Sequence, residues 1–139
     1  MTYFISGHRD LTKDEFRQYY IPVIEEIFSR EHDPIFVIGD CEGVDSFAMD
    51  YIYYNHSIEC VITIYHMFDT PRHTPMGLKV KDFSRLSNKS KVFFVGGFTS
   101  DEERDASMTR VSDYDIAFVK DNRWDSGTAQ NIKRRHNIK

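Results

Sequence analysis

Five short apolar runs recur along the chain, at Tyr3–Ser6, Ile35–Ile38, Cys60–Tyr65, Lys91–Val95 and Asp115–Val119, and they read as strands. Most are nearly continuous in apolar residues, the pattern of strands covered on both faces in a parallel sheet flanked by helices. Helical periodicity fills the intervals between them. Thr12 and Glu15 have the spacing of a capping box, and Leu11 with Phe16 that of a hydrophobic staple. Phe16, Tyr20, Val23, Ile24, Ile27 and Phe28 then form one apolar stripe. Pro22 removes a main-chain donor inside that stripe and predicts one helix, bent there, reaching about Arg30. Val44, Phe47, Ala48, Tyr51 and Ile52 predict a second helix. Ser100 and Glu103 open a third, with Met108 and Val111 near its end. The last opens at Asp125-Ser126-Gly127-Thr128 and runs toward Lys133, Arg134 and Arg135. This alternation predicts an α/β protein, a Rossmann-like open three-layer sandwich with a mainly parallel five-stranded sheet. Between Met67 and Ser90, Pro71, Pro75 and Gly77 interrupt the periodicity, which predicts a loop with a short helix around Leu78–Leu86, of the kind that serves as a lid, an interface or a flap.

A length of 139 residues allows one domain, spanning 1–139, and no second. With 40% hydrophobic residues, among them 11 Phe, 8 Tyr and 1 Trp, it excludes disorder and collagen-like repeats. The net charge of −4 supplies no cationic field, so nucleic acid is not an expected partner. Cys41 and Cys60 are too few for a disulfide framework or a four-thiolate zinc cage, and a reducing cytosol is expected. No apolar run approaches the roughly 20 residues that span a bilayer, and the opening residues reach His8 and Arg9 too soon for a signal peptide. A cytoplasmic location away from membranes follows as an expectation.

In an open α/β sheet the ligand lies beyond the carboxyl ends of the strands. The candidate positions are therefore Ser6, Gly7, His8 and Arg9 after the first run, Gly39, Asp40, Cys41, Glu42, Gly43, Val44 and Asp45 after the second, Gly96 and Gly97, and Asp121 to Thr128. Gly39 and Gly43 beside a helix start fit a phosphate cradle or simply a tight strand-to-helix turn. Ser126, Gly127 and Thr128 likewise fit phosphate binding or capping. No Walker loop and no dinucleotide fingerprint occurs. Arg9 and Arg104 are candidate anion partners, with surface ion pairing as the alternative. Arg104 and Met108 share a helix face, with Asp101 and Ser112 assigned to the opposite one, which points to the rim of a pocket. The six histidines show no paired spacing, and no metal is expected. Cys41, if exposed near a helix start, has a lowered thiol pKa. The basic end Lys133-Arg134-Arg135-His136 fits nucleic acid or its own helix dipole.

Taken in order, these pieces resemble the SLOG superfamily, the Rossmann-like group that includes cytokinin-activating phosphoribohydrolases, DNA-processing proteins and nucleotide-sensing domains of antiviral systems. Phe4-Ile5-Ser6-Gly7-His8-Arg9-Asp10 resembles its first strand and loop, and Ile38-Gly39-Asp40-Cys41-Glu42-Gly43-Val44-Asp45 its Gly-x-x-x-Gly-x-Asp turn. Arg104-Asp105-x-x-Met108 is similar to its Arg-Asn-x-x-Met, and Asp113–Val119 followed by Ser126-Gly127-Thr128 to its final strand and glycine turn. The likeness covers about residues 3–132. It implies a nucleotide or nucleotide-derived ligand over these loops and no cofactor. Members that cleave N-glycosidic bonds carry a Glu three residues beyond the Gly-Thr pair. That place is Asn131 here, which offers no carboxylate, and Trp124-Asp125-Ser126 replaces the family's preceding Gly-Gly. The resemblance thus implies a binding or sensing module. The alternatives are a nucleoside 5′-monophosphate N-glycosidase using Asp45, Asp105 or Asp125, and an oligomeric scaffold built on Tyr51, Tyr53 and Tyr54. A homo-oligomer, dimeric or larger, is expected in any case.

Overall fold

Each apolar run forms a strand in the computed structural model, which describes residues 1–78 and 91–137. The strands are β1 (Thr2–Ile5), β2 (Ile35–Gly39), β3 (Val61–Met67), β4 (Val92–Phe98) and β5 (Tyr114–Ile116), in the order β4-β3-β2-β1-β5 with every neighbouring pair parallel. The sheet expected to be mainly parallel is parallel throughout. β5 is shorter than its apolar run, because the chain turns toward other partners. The Phe118 N–H donates to Tyr20 Oη at 3.0 Å and the Lys120 N–H to His8 Nε2 at 2.9 Å, so neither continues the ladder.

The helices are α1 (Lys13–Tyr19), α2 (Ile21–Arg30), α3 (Val44–His56), α4 (Asp101–Val111) and α5 (Gly127–Asn137). The capping box at Thr12 forms in both directions: the Glu15 N–H donates to Thr12 Oγ1 at 3.1 Å and the Thr12 N–H to Glu15 Oε1 at 3.0 Å. The single bent helix predicted to Arg30 is instead two helices. Pro22 has no N–H to donate and its ring crowds the preceding turn, so the chain breaks at Tyr20 and restarts with Pro22 in the first turn of α2. The helix expected around Leu78–Leu86 lies, beyond Leu78, outside the described residues. Among the described residues no helix is long and apolar enough to cross a membrane.

Strand side chains alternate between two layers. Tyr3, Ile5, Phe36, Ile38, Ile62 and Ile64 pack with α1, α2 and α3 through Phe16, Ile24, Ile27, Ala48 and Ile52. Phe4, Val37 and Tyr65 face the other way and meet Met108 of α4. The second layer is thin for a reason visible in its sequence. α4 brings the polar Arg104 and Thr109 inward beside Met108, and α5 brings Thr128 and Asn131. Such residues do not fill a core, and a polar cleft stays open between these helices and the strand ends.

Candidate functional site

The strand order turns back at β1: β2, β3 and β4 follow on one side, while β5 returns to the other. That is the topological switch point, where open α/β sheets place their ligands. A cleft of about 290 Å³ opens there, lined by Ser6, Gly7, His8, Arg9, Asp45, Arg104, Asp105, Met108, Gly127, Thr128 and Asn131 of the residues picked out from the sequence. Cys41, also among the candidate positions, lines it too, together with Phe4 and Asp101.

Of the other selected residues, Gly39, Asp40, Glu42, Gly43, Val44, Gly96, Gly97 and Asp121 to Ser126 lie outside that lining. Gly43, at φ +80°, starts α3, and a Cβ there would stand 2.5 Å from the Arg9 carbonyl oxygen and 2.6 Å from that of His8. The Val44 N–H points to the same His8 oxygen at 3.4 Å. The turn read as a phosphate cradle is therefore filled by the protein's own main chain, and Gly43 and Val44 build the site without facing it. Gly39 has no room for a side chain because the Arg104 guanidinium carbon would lie 2.8 Å from its Cβ. Asp40 is fully buried behind it. Ser126 acts as the cap of α5, its Oγ accepting the Ala129 N–H at 3.2 Å.

Tyr20 and Gly7 set the loop after β1 in place. Tyr20 Oη donates to the Ser6 carbonyl at 2.8 Å while accepting from Phe118, so one buried hydroxyl ties the ends of β1 and β5 together. Gly7 is pressed against this anchor, since a Cβ would stand 2.3 Å from Val44 Cγ2 and 2.6 Å from Tyr20 Oη.

The two arginines that line the cleft, Arg9 and Arg104, are already matched by carboxylate. Arg104 Nη1 lies 2.8 Å from Asp40 Oδ1 and 3.2 Å from Asp101 Oδ1, and its Nη2 lies 2.9 Å from Asp105 Oδ1. Asp101, assigned to the opposite face of α4 from the sequence, thus shares the face of Arg104 at three-residue spacing. Arg9 Nη2 donates to Asp101 Oδ2 at 2.9 Å. Arg72, which the sequence analysis missed, donates through its main-chain N–H (2.9 Å), Nε (3.2 Å) and Nη2 (2.9 Å) to Asp40, and at 2.7 Å to Asp101. Burial opposes charge on Asp40, but the hydrogen bonds of Arg72 and the charge of Arg104 outweigh it and hold the carboxyl below its usual range. Asp45 has only the Cys41 N–H, at 3.1 Å, and burial pushes its carboxyl up to about 7. Cys41 is buried, so the lowering expected for an exposed thiol does not apply, and burial with the neighbouring Asp45 raises its pKa. Asn131 Nδ2 donates to Asp105 Oδ2 at 3.0 Å.

The cleft also holds donors that no acceptor among the described residues takes up. The Ser6 hydroxyl is buried without a hydrogen-bond partner among them. Because the Lys120 N–H occupies His8 Nε2, the neutral ring carries its hydrogen on Nδ1, and burial with the charge of Arg123 lowers its pKa and keeps it neutral. The first-turn N–H groups of Gly127 and Thr128 have no acceptor among the described residues. No atom of the described residues comes within 4 Å of the place a Gly127 Cβ would take. At the basic end of α5, Arg135 is turned inward, donating to the Ser112 carbonyl at 2.6 Å and pairing with Asp115 at 3.0 Å, while Lys133 and His136 are exposed. Of the three tyrosines considered for a scaffold face, Tyr51 and Tyr53 pack against the core and only Tyr54 is exposed. Among the described residues no group of three or more His, Cys, Asp or Glu is placed to hold a metal ion.

Fold and cleft together define a Rossmann-like α/β protein with a polar ligand cleft at its switch point. No protein-family model, curated protein or solved structure matches the chain.

Proposed function

We propose that this protein is a SLOG-like module that binds a nucleotide or nucleotide-derived small molecule, seating a phosphate on the first turn of α5. One observation carries the reading. The buried, unpartnered Ser6 hydroxyl and the open first turn of α5 line the same cleft. An anion answers both needs, because it accepts from main-chain N–H groups at the positive end of a helix and from a neutral hydroxyl at once. The Thr128 hydroxyl and His8 Nδ1–H are further donors on that wall. Calorimetric titration with nucleoside monophosphates, cyclic nucleotides and ADP-ribose tests this, as does native mass spectrometry of the purified protein. A saturating heat from at least one ligand is expected, and silence from all of them with the protein folded defeats it. Self-association, for which the exposed Tyr54 offers a contact, gives a dimer mass or larger by light scattering; a monomer at high concentration excludes it.

A second reading, hydrolysis at a nucleoside 5′-monophosphate glycosidic bond, draws on Asp45. Its carboxyl, raised to about 7, can hold a proton near neutrality as a general acid must, and Asp105 stands in the same cleft. Asp125 does not line it. Release of free base that vanishes in Asp45→Asn or Asp105→Asn favours this reading, and no release over long incubation ends it.

A further inference from the structure

The charge inventory around the cleft carries the reading further. Three guanidinium groups, those of Arg9, Arg72 and Arg104, stand among four carboxylates, those of Asp40, Asp45, Asp101 and Asp105. The most buried of the three, Arg104, is enclosed by Asp40, Asp101 and Asp105, so it has no charge to spare. Arg9 and Arg72 meet on Asp101. What remains on the α5 side of the lining is a set of uncharged donors: two main-chain N–H groups, the hydroxyls of Ser6 and Thr128, and the neutral His8 ring, while Arg134 of α5, outside the lining, is turned to Asn131 Oδ1 at 2.7 Å. Uncharged donors satisfy phosphate oxygens well, but they compensate a second full negative charge poorly. Asp45, Asp101 and Asp105 on the lining repel that charge in a partly enclosed, low-dielectric space.

We infer that the phosphate seated on α5 belongs to a singly charged diester, as in a cyclic nucleotide or a phosphate bridging two sugars, and not to a terminal monoester. The inference rests on the phosphate seat proposed above and names the class of ligand that fits it. The deep burial of Ser6, whose hydroxyl lacks a partner, makes the seat a built one.

Two base-free probes separate the charge inference from the seat itself. Dimethyl phosphate carries one charge at any working pH, whereas methyl phosphate carries two at pH 8 and one below its second pKa of about 6. Amide chemical shifts of Gly127 and Thr128 report each titration of the full chain. At pH 8 dimethyl phosphate binds about tenfold more tightly, and the gap closes as the pH falls to about 5.5. Asp45 contributes in the same direction. It faces Arg104 and Asp105 from α4, Asp40 and Cys41 from the turn after β2, and Tyr20 between α1 and α2, and it takes up a proton over this range. Asp45→Asn therefore narrows the gap at pH 8. Equal or tighter binding of methyl phosphate at pH 8, with both amides shifting, overturns the charge inference and leaves the seat. No shift from either ester overturns the seat and the inference with it.

Discussion

Arg104 reaches from α4 across the bare backbone of Gly39 to place Nη1 2.8 Å from Asp40 Oδ1. The pair joins the two layers of the fold beneath the cleft, and Arg72 ties the chain beyond β3 to the same carboxylate. Removing Asp40 takes one of three carboxylates from the buried Arg104 and the acceptor of three donors from Arg72. Asp40→Ala is expected to lower stability by about 2–3 kcal/mol, in the range of lost hydrogen bonds to a charged group, measured by urea unfolding, whereas Arg72→Ala, at a partly exposed position, lowers it less.

Gly127 separates binding from folding. Because no atom of the described residues comes within 4 Å of the place its Cβ would occupy, Gly127→Ala leaves the melting temperature within about 2 °C of the parent. The added methyl group stands where the proposed phosphate would approach the first turn of α5. Affinity for a phosphate ligand that binds the parent falls at least tenfold in titration calorimetry, and an unchanged affinity removes α5 from the site.

Gly7→Ala works in the opposite way. Its Cβ would lie 2.3 Å from Val44 Cγ2, so the variant is destabilised by about 1–3 kcal/mol. Adding Val44→Ala relieves part of the clash, and the double mutant is more stable than the sum of its single changes predicts. Tyr20 Oη, 2.6 Å from the same position, keeps the rescue incomplete. Additive losses in a thermal unfolding cycle contradict this packing.

Asp45 gives a pH signature of known sign. Its folded pKa of about 7 stands above the ordinary value of 3.8, so the folded state holds a proton that the unfolded chain releases between those limits. Stability from this group is complete below pH 3.8 and declines as the pH rises to about 7. Relative to Asp45→Asn, the parent loses a few kcal/mol between about pH 4 and 8. Parallel stability profiles for the two proteins would show that Asp45 titrates normally.

Tyr20→Phe deletes the hydroxyl that holds Ser6 and Phe118. Leaving a buried carbonyl and a partly buried N–H unpaired lowers stability by about 1–3 kcal/mol. The phosphate seat also loosens, visible as weaker binding of dimethyl phosphate. Unchanged binding would show that the loop after β1 needs no such tie.

The alternation of apolar runs with helical stripes determined the class of fold, since a strand hydrophobic on both sides has no stable place outside a covered parallel sheet. Local chemistry was legible too: the Thr12 capping box and the Ser126 cap involve residues three apart, and such bonds form wherever the backbone allows. The same reasoning put Gly43 and Gly127 in one class, as glycines at helix starts. Only the tertiary structure separated them, because the His8–Arg9 carbonyls close one and nothing among the described residues closes the other. It likewise decided between the two readings of Arg104, anion partner or surface ion pair, by making it a buried partner of Asp40, 64 positions away, and added Arg72. Contacts at that separation depend on how layers pack, which no local pattern of residues encodes.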